Sequence, residues 1–166
     1  MYEVGQYIIY GCEGVCRVEG IGPLDIKGAQ KDADYYTLSS VYQHGKIYVP
    51  VDSPAYSRPV MTREEAKALI ADIPNIPFEI FENSNPRLLT EHYQVFLKSN
   101  DCRELLKLIR AIHAKGANAA EKGRRLGQVD ERCFKQAEEK LHGELAVALD
   151  IPIKEVKQFI IDALER

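Results

Sequence analysis

Tryptophan is absent from this 166-residue chain, methionine occurs twice and cysteine only four times. No run approaches the ~18 consecutive apolar residues of a membrane-spanning helix. Apolar cores such as Tyr7-Ile8-Ile9-Tyr10 are strand-sized, so no membrane segment is expected. The opening Met1-Tyr2-Glu3 carries neither the basic nor the apolar region of a secretory signal, and a cytoplasmic location is expected. The phosphate-binding patterns G-x-x-x-x-G-K-[ST] and G-x-G-x-x-G are missing, as are the hydrolase pattern G-x-S-x-G and the metalloprotease pattern H-E-x-x-H. His44, His92, His113 and His142 lie far apart in sequence, none beside a nucleophile motif. Neither an enzyme nor a resident cofactor is therefore expected.

What is present is globular. At 45% hydrophobic and 28% charged residues, the composition excludes collagen-like and wholly disordered chains. The length suits one average domain or two small ones, at roughly 150 residues per domain.

The cysteines form no disulfide framework. Cys12 and Cys16 stand close together, Cys102 and Cys133 stand alone, and no C-x-x-C pair suggests zinc. A set of Cys12, Cys16 and His44 is a conceivable metal sensor but lacks a fourth ligand, so apolar packing is the expected role.

Charge is unevenly placed. The formal net charge is -3, yet residues 98–126 hold eight basic side chains (Lys98, Arg103, Lys107, Arg110, Lys115, Lys122, Arg124, Arg125) against Asp101, Glu104 and Glu121, net +5. A basic segment inside an acidic protein is what one surface facing a polyanion would produce. A solvated helix face followed by a charged loop would produce it too.

Residues 1–60 read as β-structure. Gln6–Tyr10, Val15–Ile21, Tyr35–Val41 and Lys46–Val51 are rich in Tyr, Val and Ile and are bounded by glycines and prolines. Four or five strands in this length predict a small SH3- or Tudor-like barrel. A capping box at Thr62-Arg63-Glu64-Glu65 predicts a helix to about Asp72, followed by a Pro74- and Pro77-bearing linker to residue 85. Residues 86–166 predict an all-α bundle. Its helices run over about Pro86–Lys98 and Asp101–Lys115, then from an N-cap at Asp130, then from Asp150-Ile151-Pro152. Glycines 116, 123 and 127 mark the break between the second and third. The expected fold class is thus α+β, with domains at 1–60 and 86–166 joined by a helix and linker at 61–85.

The order of motifs resembles the CarD family. Val4-Gly5-Gln6-Tyr7-Ile8-Ile9-Tyr10, Glu13-Gly14-Val15-Cys16-Arg17-Val18, Tyr35-Tyr36-Thr37-Leu38 and Ile47-Tyr48-Val49-Pro50-Val51 are similar to the opening domain shared by CarD, CdnL and transcription-repair coupling factor. Glu121-Lys122-Gly123-Arg124-Arg125-Leu126 and the segment Ala137–Leu149 resemble the helical domain of standalone CarD-like regulators. The resemblance implies a bacterial transcription regulator. Its β-domain would bind the β subunit of RNA polymerase, and its helical domain would reach promoter DNA through largely sequence-independent contacts, tuning open-complex stability.

The resemblance also implies sites. The polymerase-contacting strand corresponds to Lys46, Ile47, Tyr48, Val49 and Pro50, with Leu24 nearby. Tyr48 and Leu24 stand where some relatives carry arginine. The tryptophan that some members wedge into the minor groove falls near Leu89, which is also a candidate for simple core packing. The DNA contacts are expected from the eight cations of residues 98–126, while Glu131 stands where some relatives place lysine. A rival expectation is a polymerase-binding interaction module that never engages DNA.

Overall fold

The computed structural model describes residues 2–25, 28 and 33–164, and they separate into two compact units, residues 1–61 and 62–166.

The first unit is one antiparallel sheet. Its strands are β1 (Tyr7–Tyr10), β2 (Gly14–Gly22), β3 (Tyr35–Ser40), β4 (Lys46–Pro50) and β5 (Ser57–Pro59), in the spatial order β4-β3-β2-β1-β5. Side chains alternate across the pleat. Ile8, Cys16, Val18, Tyr36, Leu38 and Val49 build the core on one face, with Tyr2, Tyr10, Ile47 and Val51 packed around it. Register shifts between Val18 and Gly20 on β2, a bulge that increases local twist.

The expected closed barrel is not formed. Among the described residues no ladder joins β4 to β5, so the sheet keeps two edges. The β5 edge is only three residues long and ends at Pro59, which has no amide hydrogen to offer. β5 itself had no strand signature in the sequence.

The second unit is helical. α1 (Arg63–Asp72) starts with the expected capping box, in which Thr62 Oγ1 accepts from Glu65 N–H while the Glu65 carboxylate accepts from Thr62 N–H. α2 (Pro86–Leu97) opens on Asn85 as N-cap with Pro86 next, α3 spans Cys102–Glu121, α4 spans Gln128–Leu149 and α5 spans Val156–Leu164. The core contains Ala66, Leu69 and Ile70 of α1, Leu89, Tyr93 and Leu97 of α2, Leu105, Leu108 and Ile112 of α3, and Ala137, Leu141 and Leu145 of α4. Cationic side chains close two helix ends: Arg63 donates to Leu149 O (3.0 Å) and Lys140 to Leu97 O (3.2 Å).

Two boundaries depart from the sequence reading. α3 runs six residues past Lys115, because Gly116 does not break the helix but lets the following loop approach. A methyl placed on Gly116 would stand 3.2 Å from Leu126 Cδ1. α4 starts two residues before Asp130, with Gly127 as N-cap, and Asp130 turns its carboxylate inward. In α5 and the turn before it Val156 is fully buried, whereas Ile153 and Leu164 are exposed.

Candidate interaction surfaces

The first surface is the open edge of β4. Val51 N–H donates to Asp34 O (3.1 Å), which fixes the phase of the β3–β4 ladder. With Tyr36 opposite Val49 and Leu38 opposite Ile47, these odd-numbered residues of β4 direct their backbone groups at β3. Lys46 and Tyr48 therefore direct theirs outward. Pro50 has no N–H, and its carbonyl accepts from Ser53 N–H (3.0 Å), so the free edge stops there.

The side chains follow the same alternation: Ile47 and Val49 pack inward, while Lys46, Tyr48 and Pro50 face solvent, Tyr48 at 45% exposure. Tyr48 is thus surface, not core. Leu24 is half-buried just past β2, at the same end of the sheet as Pro50, since Gly22 pairs with Tyr35 and Tyr35 with Pro50.

The second candidate, the basic segment, does not form one patch. Arg103, Lys107 and Arg110 share a face of α3, and that face holds residues 72–78. Arg103 Nη1 pairs with Asp72 Oδ2 at 2.6 Å, an ion pair that holds the aspartate below its usual carboxylate range. Arg110 Nη1 donates to the carbonyls of Ile73 (3.0 Å) and Ile76 (2.5 Å), and its guanidinium lies 4.7 Å from the centre of the Phe78 ring. Lys107 pairs with Glu104 one turn before it. The Pro74 and Pro77 segment has few backbone partners of its own, and α3 supplies them. Arg103 and Lys107 keep solvent contact, but Arg110 is committed to the fold.

Lys115 is committed more deeply. Its ammonium donates to Phe81 O (3.2 Å) and pairs with Asp130 Oδ1 (3.1 Å), with side chains only 15% and 5% exposed. The Tyr93 hydroxyl donates to the same Asp130 oxygen at 2.5 Å. Burial and the adjacent carboxylate drive the Tyr93 pKa strongly upward, so the phenol stays protonated and donating. The expectation that Lys115 and Arg110 present their charge to DNA is therefore corrected: each has buried polar partners that would be left unsatisfied if it swung out.

Four cations remain at the surface with no side-chain partner among the described residues: Lys98, Lys122, Arg124 and Arg125. Lys98 caps the end of α2, near the start of α3, whereas the other three follow the end of α3. At about 1.5 Å per residue, the 20 residues of α3 separate them by roughly 30 Å.

The turn after α3 is closely specified. Arg124 N–H donates to Ala119 O (2.7 Å) and Gly123 N–H to Ala120 O (3.0 Å), the paired bonds of a Schellman motif, with Gly123 in the left-handed region at φ +69°. Lys122, Arg124 and Arg125 thus project from a backbone whose course is set.

Leu89 is 6% exposed and packs in the helical core, so it is not placed as a wedge. The neighbouring Leu88 is 46% exposed, with Val95 exposed one turn-pair later. Around His92, the Phe81 ring stacks at 3.8 Å and the Phe96 ring meets it edge-on at 5.5 Å.

Cys16 lies fully buried in the sheet core, and burial with nearby Glu13 pushes its thiol up to about 11. That is the reverse of what a metal-ligating thiolate requires. The side chain of Cys12 lies outside the described residues, and no group of three or more His, Cys, Asp or Glu side chains is arranged to hold a metal among those described. Among them too, no helix is long and apolar enough to cross a membrane.

Residues 2–61, which coincide with the sheet unit, match the family model of the CarD-like/TRCF RID domain. No curated protein matches the chain.

Proposed function

We propose that this protein, whose first unit matches the CarD-like/TRCF RID domain, is a bacterial transcription regulator that interacts with RNA polymerase. It adds the open edge of β4 to a strand of the polymerase β subunit and holds the turn after α3 against promoter DNA, tuning the stability of the open complex. It performs no catalytic step and uses no cofactor.

The observation that carries the reading is the β4 edge. The outward N–H and C=O groups of Lys46 and Tyr48 suit strand addition, and the exposed Tyr48 side chain gives selectivity. Leu24 and Pro50 border that edge at one end. On the helical unit, Lys122, Arg124 and Arg125 supply phosphate contacts without base reading, with Lys98, Arg103 and Lys107 as outlying charge.

The test has two arms. In the first, the full chain is co-purified with a recombinant β-subunit fragment. Tyr48→Pro removes an amide that β3 does not use, so it should abolish the complex while the domain stays folded; retention of the complex overturns strand addition. In the second, fluorescence anisotropy with forked promoter DNA compares the native chain with Arg124→Ala/Arg125→Ala. Losing two phosphate contacts should lower the salt slope by nearly two, at ~0.9 per contact.

A second reading, a polymerase-binding module without DNA contact, is favoured by the inward commitment of Arg110 and Lys115. Absence of DNA binding by the native chain at low salt would establish it.

A further inference from the structure

We propose that Tyr93, Lys115 and Asp130 are positioning residues for an anion contact at the α3–α4 turn, locking the stem of the hairpin whose tip carries Lys122, Arg124 and Arg125. The inference rests on the reading of that tip as the DNA contact and adds what makes it work.

The network lies across the stem. Lys115 is on α3 before the turn, Asp130 is on α4 after it, and Tyr93 joins them from α2. The carboxylate of Asp130 receives both the ammonium (3.1 Å) and the phenol (2.5 Å), and the ammonium also holds Phe81 O. On the loop side, Leu126 seats against Gly116, where no side chain intervenes. The Schellman bonds then fix the remaining residues of the tip. Fixed at both stem and tip, the three cations need little ordering when a polyanion arrives.

The network has a second consequence. Asp130 and Glu131 lie in the first turn of α4, close in sequence to Arg124 and Arg125. Turned inward onto Lys115 and Tyr93, the Asp130 carboxylate is withheld from those arginines. Its charge is balanced by Lys115, so this buried pair adds no net charge beside the tip.

The experiment measures the full-length native chain, Tyr93→Phe, Asp130→Asn, Arg124→Ala/Arg125→Ala and a control, Val156→Ala, which opens a cavity in the core at α5. Binding to forked DNA is read by anisotropy at two salt concentrations, at a temperature where circular dichroism shows every variant folded. Amide exchange of residues 122–127 is read alongside. Tyr93→Phe and Asp130→Asn should weaken binding about three- to ten-fold with an unchanged salt slope, because no phosphate contact is deleted. They should also accelerate exchange in the turn, whereas Val156→Ala should change neither.

Native affinity in Tyr93→Phe and Asp130→Asn, with weakened binding in the double arginine variant, overturns the positioning role. An equal loss in Val156→Ala also overturns it, since general destabilisation would then be the cause. Native affinity in the double arginine variant instead overturns the reading of the tip as the DNA contact.

Discussion

The cations along α3 and those in the turn that follows it carry the same charge and adjoin in sequence, yet they are placed in opposite surroundings. Along α3, Arg110 and Lys115 are ligands for this chain's own carbonyls and for Asp130. In the turn, Lys122, Arg124 and Arg125 find no partner among the described side chains. The difference arises from what lies opposite. A proline-bearing strap that leaves carbonyls unsatisfied faces α3, whereas among the described residues no acceptor side chain reaches the cations of the turn. Net charge per segment is therefore a poor guide to a binding surface unless the acceptors inside the molecule are counted first.

The comparison breaks most sharply at Asp130. Asp130→Ala leaves the Lys115 ammonium and the Tyr93 hydroxyl without their shared partner, and should cost about 3 kcal/mol in thermal or denaturant unfolding. If unfolding is unchanged, the stem cations are not structural. Arg110→Ala, which frees the carbonyls of Ile73 and Ile76 and uncovers Phe78, should cost about 1–2 kcal/mol and leave DNA affinity within two-fold. Gly123→Ala probes the turn alone. A side chain at φ +69° is strained by about 1 kcal/mol, and the misplaced tip should weaken DNA binding more than unfolding. Arg124→Ala/Arg125→Ala should shift stability by less than about 0.5 kcal/mol, the mirror image of Asp130→Ala.

The smallest effect expected is on pH. Burial lowers the His142 pKa below the ordinary 6.5, outweighing Glu138 at 3.9 Å, and burial lowers that of His92 as well. A histidine kept neutral in the fold binds its proton more readily when unfolded. Stability should thus be complete above pH 6.5 and decline as the pH falls below it. Melting temperatures between pH 7.5 and 5.5 test the direction, and His142→Gln should flatten the profile.

Much of the fold was legible because its signals are local. The capping box at Thr62, Pro86 at the head of α2 and the β-rich runs before residue 51 each specify an element through neighbouring residues. Gly116 was misread because the sequence shows only that it lacks a side chain. Whether that opens a turn or admits Leu126 depends on a loop ten residues on. The β5 strand was missed because Ser57–Pro59 is ordered by pairing with β1, not by its own propensity. Leu89 and Leu88 are neighbours of identical chemistry, and only the packing of α2 decides which is inside.

Alternation, capping and breaker residues thus determined from sequence alone that a β-rich unit precedes a helical one, and that positive charge is concentrated between residues 98 and 126. Tertiary structure alone decided that, among the described residues, the sheet keeps an open edge at β4 and that the basic stretch divides into inner ligands and an outer tip. Strand closure and ion pairing join groups distant along the chain, so their outcome depends on where every other element comes to rest.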